Sequence, residues 1–218
     1  MSKDLKIKIF EVNPLGVNCY VVSDDTKEAV IIDCGCFHID EWNEIKSFID
    51  NEGMVVKHLL NTHLHFDHIM GVPMAFNDFG LCPEANKNDS YIYNKVEEQV
   101  RQVVGANIPH IEMPPLGREL RDGDEVEFGS HKFVVIQTPG HTPGGICFYC
   151  KEENVIFTGD TLFRMSVGRT DLQGGSYKDL QQSIIERLAT LPSNTIVYPG
   201  HGPSTTIEEE AKYNPYFN

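Results

Sequence analysis

The segment Asn61-Thr62-His63-Leu64-His65-Phe66-Asp67-His68 packs four metal-ligating side chains into six residues, directly after the apolar run that ends at Leu60. In extended backbone, residues i and i+2 point to the same side. His63 and His65 can therefore reach one point together. A helix starting after them would turn Asp67 and His68 toward a second point. Imidazole suits zinc, iron and nickel, and a carboxylate adds a hard, charge-neutralising ligand. With nine histidines in 218 residues, three inside six positions is not a chance of composition. A fold that uses this cluster must bring further ligands to it.

Three positions fit that demand. His141 lies in Thr138-Pro139-Gly140-His141-Thr142, Asp160 closes Phe157-Thr158-Gly159-Asp160, and His201 sits in Pro199-Gly200-His201-Gly202. Each follows an apolar, strand-like run and adjoins a glycine, which lets backbone approach a ligand closely. The set His63, His65, Asp67, His68, His141, Asp160 and His201 is enough for two metal ions.

The rest of the chain supplies strands and helices in alternating groups. Apolar runs bounded by turn residues predict strands near 7–12, 20–22, 29–32, 55–60, 125–128, 132–137, 146–150, 155–158 and 195–198. Apolar spacings of three and four predict helices over 39–49, 69–79, 86–104, 177–191 and 208–213. Residues 108–117 contain three prolines and read as an extended loop. Grouped strands with helices between the groups imply two sheets with helices packed outside, a layered α/β architecture. The length suits a single domain over residues 1–218.

The formal net charge of −14 repels polyanions, so nucleic acid and anionic membrane surfaces are not expected partners. No apolar run approaches the roughly 18 residues of a membrane helix. The start, Met1-Ser2-Lys3-Asp4-Leu5-Lys6, lacks the apolar core of a signal peptide. A cytoplasmic protein with six reduced cysteines is expected. Cys147-Phe148-Tyr149-Cys150 has redox-type spacing, but it lies inside an apolar run rather than at a helix start, so both cysteines are read as strand residues. Cys34 and Cys36 are read as structural.

The order H-x-H-x-D-H, His, Asp, His resembles the metal-binding pattern of the metallo-β-lactamase superfamily across residues 61–201. The resemblance implies a four-layer αββα sandwich. It assigns His63, His65 and His141 to one metal, Asp67, His68 and His201 to the other, and Asp160 to a bridge between them. It makes Asp33 an acid that braces the ligands from behind. Asp160 disfavours the true β-lactamases, whose main branch carries cysteine there. Phe157-Thr158-Gly159-Asp160-Thr161-Leu162-Phe163 and Thr138-Pro139-Gly140-His141-Thr142 are similar to the glyoxalase II-like hydrolases. Val167-Gly168-Arg169-Thr170-Asp171 is similar to a short, single-domain bacterial branch of them.

The implied activity is hydrolysis of a small-molecule thioester by a metal-bridging hydroxide. Asp67 would be the catalytic residue that orients the hydroxide. The implied cofactors are two divalent ions, zinc first, with iron or manganese also suited. Arg169 stands where true glyoxalase II has lysine. Its side chain serves either a substrate carboxylate or an ion pair with Asp171. The tyrosines that true glyoxalase II carries near Asp171 and just after His201 are missing, as is its helical extension. The alternative within the same fold is a mononuclear iron persulfide dioxygenase.

Overall fold

A computed structural model describes residues 4–217; Met1, Ser2 and Lys3 of the N-terminal segment read above lie outside the described residues. Strands β1 (Lys6–Val12), β2 (Val17–Ser23) and β3 (Glu28–Ile32) lead through α1 (Ile39–Asn51) to β4 (Val55–Leu60). Helices α2 (Phe66–Ile69) and α3 (Val72–Phe79) precede a two-residue strand β5 (Pro83–Glu84), then α4 (Ser90–Tyr93) and α5 (Val96–Val104). The second half runs β6 (Glu125–Phe128), β7 (His131–Gln137), β8 (Ile146–Cys150), β9 (Val155–Gly159), and the hairpin β10 (Leu162–Phe163) and β11 (Ser166–Val167). It ends with α6 (Tyr177–Ser183), β12 (Ile196–Pro199), β13 (Thr205–Thr206) and α7 (Ile207–Tyr213). One sheet has the order β1-β2-β3-β4-β5 and the other β13-β12-β9-β8-β7-β6.

Side-chain alternation sorts the buried residues into three cores, and three cores make four layers. In β2 and β3, Cys19, Val21, Ala29 and Ile31 face Trp42, Ile45 and Ile49 of α1. Their neighbours Tyr20, Val22, Val30 and Ile32 face the second sheet and meet Phe133, Phe148 and Phe157. In β8 and β9, Cys147, Tyr149 and Ile156 face outward against Leu188 and Ile207. Strands buried on both faces are nearly continuous apolar runs, as the sequence of β2, β3, β8 and β9 shows. The αββα sandwich is the observed fold.

The same alternation separates Cys147 from Cys150. They are three apart in one strand, so one faces the outer core and the other the inner. All six cysteines are free thiols.

Three expected helices are interrupted. The helix predicted over 69–79 splits, because Pro73 lacks an N–H and Gly71 N donates to Cys34 O at 2.9 Å instead of within a helix. A Cβ on Gly71 would lie 2.6 Å from Cys34 Sγ, so a larger residue would push the segment off the first sheet. The segment 86–104 breaks between α4 and α5, where Gln99 Nε2 donates to Ile92 O at 2.9 Å and takes a carbonyl that a continuous helix would use. The segment 177–191 widens after Ser183 into a π-helical turn over Ile184–Leu188. Among the described residues, no helix is long and apolar enough to cross a membrane.

Candidate metal centre

The seven residues singled out in the sequence converge at one end of the sandwich, and both sheets contribute. His63 and His65 follow the C-terminal end of β4; Asp67 and His68 lie in α2, which starts at Phe66. His141 sits between β7 and β8, Asp160 directly after β9, and His201 directly after β12. Loops beyond strand ends give fixed points of departure for side chains, and this edge is where open α/β sheets place their sites.

The donor atoms form three groups: His63, His65 and His141; His63, His68 and Asp160; and Asp67, His68 and His201. Within each group every ligand atom lies within 4.8 Å of the others. His65 Nδ1 faces His141 Nε2 at 2.8 Å. Asp160 reaches both sides, with Oδ1 3.3 Å from His68 Nε2 and Oδ2 3.5 Å from His141 Nε2. His201 Nε2 lies 3.4 Å from Asp67 Oδ2 and 3.7 Å from Asp160 Oδ2.

The outer nitrogens of four rings are anchored, which turns the inner nitrogens toward the centre. His141 Nδ1 meets Arg169 O at 2.7 Å, and His201 Nδ1 meets Leu15 O at 3.0 Å. His63 Nδ1 lies 3.1 Å from Thr62 Oγ1. His68 Nδ1 lies 3.0 Å from Asp33 Oδ2; the contact is short but oblique, more a charge contact than a hydrogen bond. Outer partners of this kind fix tautomer and ring orientation in metal sites.

Inward, His63 Nε2, His68 Nε2 and Asp160 Oδ1 are buried without a hydrogen-bond partner. Buried polar atoms are rarely left so. Their convergence with the other donors fits the residues to a divalent cation. Electrostatics divide the rings: burial opposes charge on His68 and His201, but Asp160, Asp67 and Asp33 around the first and Asp67 and Asp160 around the second outweigh it and raise the pKa of both. Burial, with His68 and His141 nearby, holds His63 neutral and lowers its pKa; burial and His141 bring His65 down to about 3. Neutral imidazole is the form that ligates. Burial opposes the charges of Asp67 and Asp160, yet His68 with His201 at Asp67, and His68 with His141 and His63 at Asp160, outweigh it and keep both carboxyls below their usual range.

Gly200 shows why the third and fourth loops can close on the centre. A Cβ there would lie 2.2 Å from Asp160 Oδ1 and 2.8 Å from His68 Cε1. Asp33 lies behind His68 and accepts from Thr62 N at 2.8 Å and Thr62 Oγ1 at 2.7 Å. Its backbone is left-handed, with φ of 55°, an uncommon state for a residue with a Cβ. Arg169 stands at the cleft wall with its guanidinium forked onto Asp171 by two contacts of 2.7 Å.

A cleft of about 300 Å³ opens over His65, Asp67, His141, Asp160 and His201. Leu15, Phe66, Ile92 and Leu172 line it with apolar surface, and Lys95, Glu98 and Gln102 of the α5 region form its polar side. The sequence reading missed that side, along with Gln99 and Asp89. Gln99 accepts from Phe66 N at 3.0 Å and donates to Leu64 O at 3.3 Å, so it holds the His63–Asp67 loop. As plain polar residues in a helical segment they carry no spacing signal.

The model of the Metallo-beta-lactamase superfamily matches residues 12–201. An uncharacterized protein of Mycobacterium leprae is 36% identical, with 95% of this chain and 96% of that protein covered. A protein of Haemophilus influenzae named Hydroxyacylglutathione hydrolase GloC is 33% identical, with 98% and 99% covered. A Bacillus subtilis protein named Probable metallo-hydrolase YqgX is 31% identical, with 98% of each covered. Among solved structures, BLEG-1 B3 metallo-beta-lactamase superposes with a TM-score of 0.87 at 34% identity, covering 98% of this chain and 100% of that one. TTHA1623 in a di-iron-bound form gives 0.84 at 36%, covering 96% and 99%. ETHE1 from Myxococcus xanthus gives 0.77 at 28%, covering 96% and 83%.

Proposed function

The chain belongs to the metallo-β-lactamase superfamily, and from that premise we propose that it is a hydrolase of small thioesters that works with two divalent ions. The observation that carries the reading is the double donor set. His63, His65 and His141 form one three-residue group and Asp67, His68 and His201 another, with Asp160 within reach of both. We assign the first group to one ion, the second to the other, and Asp160 to the bridge. Structural metal sites are normally closed and mononuclear; a shared carboxylate under an open cleft suits catalysis. The family model spans most of the chain, and we read residues 1–218 as one hydrolase domain. Zinc is the first expectation, and the di-iron form of TTHA1623 makes iron a real candidate.

Two divalent ions held by these residues would supply a water acidic enough to ionise near neutral pH and would polarise a carbonyl oxygen. The chain's own residues do the rest. Asp67 stands at the cleft floor, where its carboxylate can accept a proton from the attacking water and orient it. Leu15, Phe66, Ile92 and Leu172 can exclude bulk water from the acyl group. A thiolate leaves without prior protonation, so a thioester suits this site. Lys95 and Arg169 offer cations to an anionic end of the substrate, and Arg169 must share its charge with Asp171. The name of the Haemophilus influenzae relative points to the same substrate class.

A second reading, β-lactam hydrolysis, is favoured by the likeness to BLEG-1, and Asp160, where the main β-lactamase branch carries cysteine, stands against it. The test is turnover of a thioester panel including S-lactoylglutathione, and of a cephalosporin, in air and without oxygen, on protein whose metals are quantified. Oxygen-independent thiol release with two metals per chain is the expected result. Faster cephalosporin opening would favour the second reading. One iron per chain, with oxygen uptake on glutathione persulfide and no hydrolysis, would overturn both.

A further inference from the structure

Asp89 lies outside the donor set, yet it is fully buried and its carboxylate touches two of the ligand-bearing loops. Its Oδ2 accepts from Thr142 Oγ1 at 2.7 Å and from Leu64 N at 3.3 Å. Its Oδ1 accepts from Gly144 N at 2.6 Å. Leu64 stands between His63 and His65, and Thr142 directly follows His141. Two of the three donors that Asp89 ties down therefore adjoin the three histidines of one group, the third lies in the same loop as His141, and none adjoins a member of the other group.

The fit is tight. A Cβ on Gly144 would lie 2.6 Å from Asp89 Cγ, so the His141 loop can reach this carboxylate because residue 144 is glycine. Asp33 differs in this respect. It contacts His68 directly, and it reaches His63 through Thr62, so it serves both groups.

We infer that Asp89 is a positioning residue for one metal alone, the ion held by His63, His65 and His141. The inference rests on the metal assignment proposed above. Charge-assisted hydrogen bonds donated to a carboxylate are short and directional. Removing one acceptor oxygen leaves a backbone N–H or the Thr142 hydroxyl without its partner and lets the two loops drift apart. Outer residues that orient metal ligands typically change affinity by about 10–100-fold. The change should fall on one ion and spare the other.

The experiment measures zinc dissociation constants by chelator competition on Asp89→Asn in two backgrounds. His201→Ala cripples the Asp67–His68–His201 group, and His65→Ala cripples the three-histidine group. In the His201→Ala background, Asp89→Asn should weaken the remaining ion about 10-fold or more. In the His65→Ala background it should leave the remaining ion within about twofold. Thr142→Val, which removes one of the three donors, should act in the same direction with smaller size, and it serves if Asp89→Asn does not fold. Equal weakening in both backgrounds, or none in the first, would overturn the inference. The two-ion reading fails separately, when the unsubstituted protein binds only one zinc; a single zinc lost in His65→Ala still tests Asp89, and one lost only in His201→Ala overturns its role.

Discussion

Single residues at the centre carry distinguishable duties, and substitution separates them. Asp67→Ala removes the carboxylate poised over the cleft, and turnover should fall at least about 100-fold, the lower end of acid–base contributions, while the thermal transition stays cooperative. Near-normal turnover at full metal loading would end the role given to Asp67. Gly200→Ala tests close approach. Its φ needs no glycine, but the new Cβ would press on Asp160 Oδ1 at 2.2 Å and on the His68 ring. Metal content by elemental analysis should drop by about half or more while circular dichroism stays unchanged; full metal content would show that the loop simply shifts. At this scale the sequence was informative for the donors. Histidine and aspartate beside glycine at strand ends mark themselves. Asp33, Asp89 and Gln99 hold those donors through backbone contacts made 29, 25 and 33 residues away, and nothing in local spacing marks such a partner.

Among the elements, strands were the most legible. β8 is buried on both faces and apolar throughout, and β4, β6 and β8 span the residues expected for them. The two-residue strands β5, β10, β11 and β13 are too short to show a period. Of the split helices, Pro73 marks one break in the sequence itself, whereas the ties of Gly71 N to Cys34 O and of Gln99 Nε2 to Ile92 O leave no mark in the apolar spacing. One turn between elements makes its own prediction. Asp24 follows β2 and is fully buried, accepting from Ser130 N at 2.7 Å and Ser130 Oγ at 2.6 Å at the β6–β7 turn, with His131 Nδ1 at 3.0 Å. Burial raises its pKa, but these bonds and those from Thr26 outweigh it and hold the carboxyl below its usual range. A depressed folded-state pKa contributes stability above the unfolded value of about 3.9 and loses it as pH falls toward the folded value. Urea midpoints should therefore drop between about pH 5 and 2, and Asp24→Asn should flatten that drop while costing about 2–4 kcal/mol near neutrality. An unchanged acid slope in the variant would assign it to other carboxylates.

For the whole molecule, the centre lies where the two sheets meet, and its donors divide between them. His63, His65, Asp67 and His68 depend on β4 of the first sheet; His141, Asp160 and His201 depend on β7, β9 and β12 of the second. The sheets already join near this edge, through Asn18 N to Gly200 O at 2.8 Å and Tyr20 Oη to Pro199 O at 2.6 Å. Ions bound by both halves would add a second fastening, one that the unfolded chain lacks. They would also relieve the mutual repulsion of Asp67 and Asp160, which lie on the same few ångströms of His201 Nε2. A ligand that binds only the folded state stabilises by about 4 kcal/mol when present at a thousandfold its Kd. In a domain of this size each kcal/mol moves Tm by roughly 2–4 °C. Stripping two ions with a chelator should therefore lower Tm by more than about 10 °C, and adding back zinc should restore it. Because the fastening needs donors from both sheets, His63→Ala and His201→Ala should each shrink the chelator effect, although they sit on opposite halves. Metal-free protein that melts with the loaded protein would mean that the sheets hold this edge unaided and that the ions serve chemistry alone.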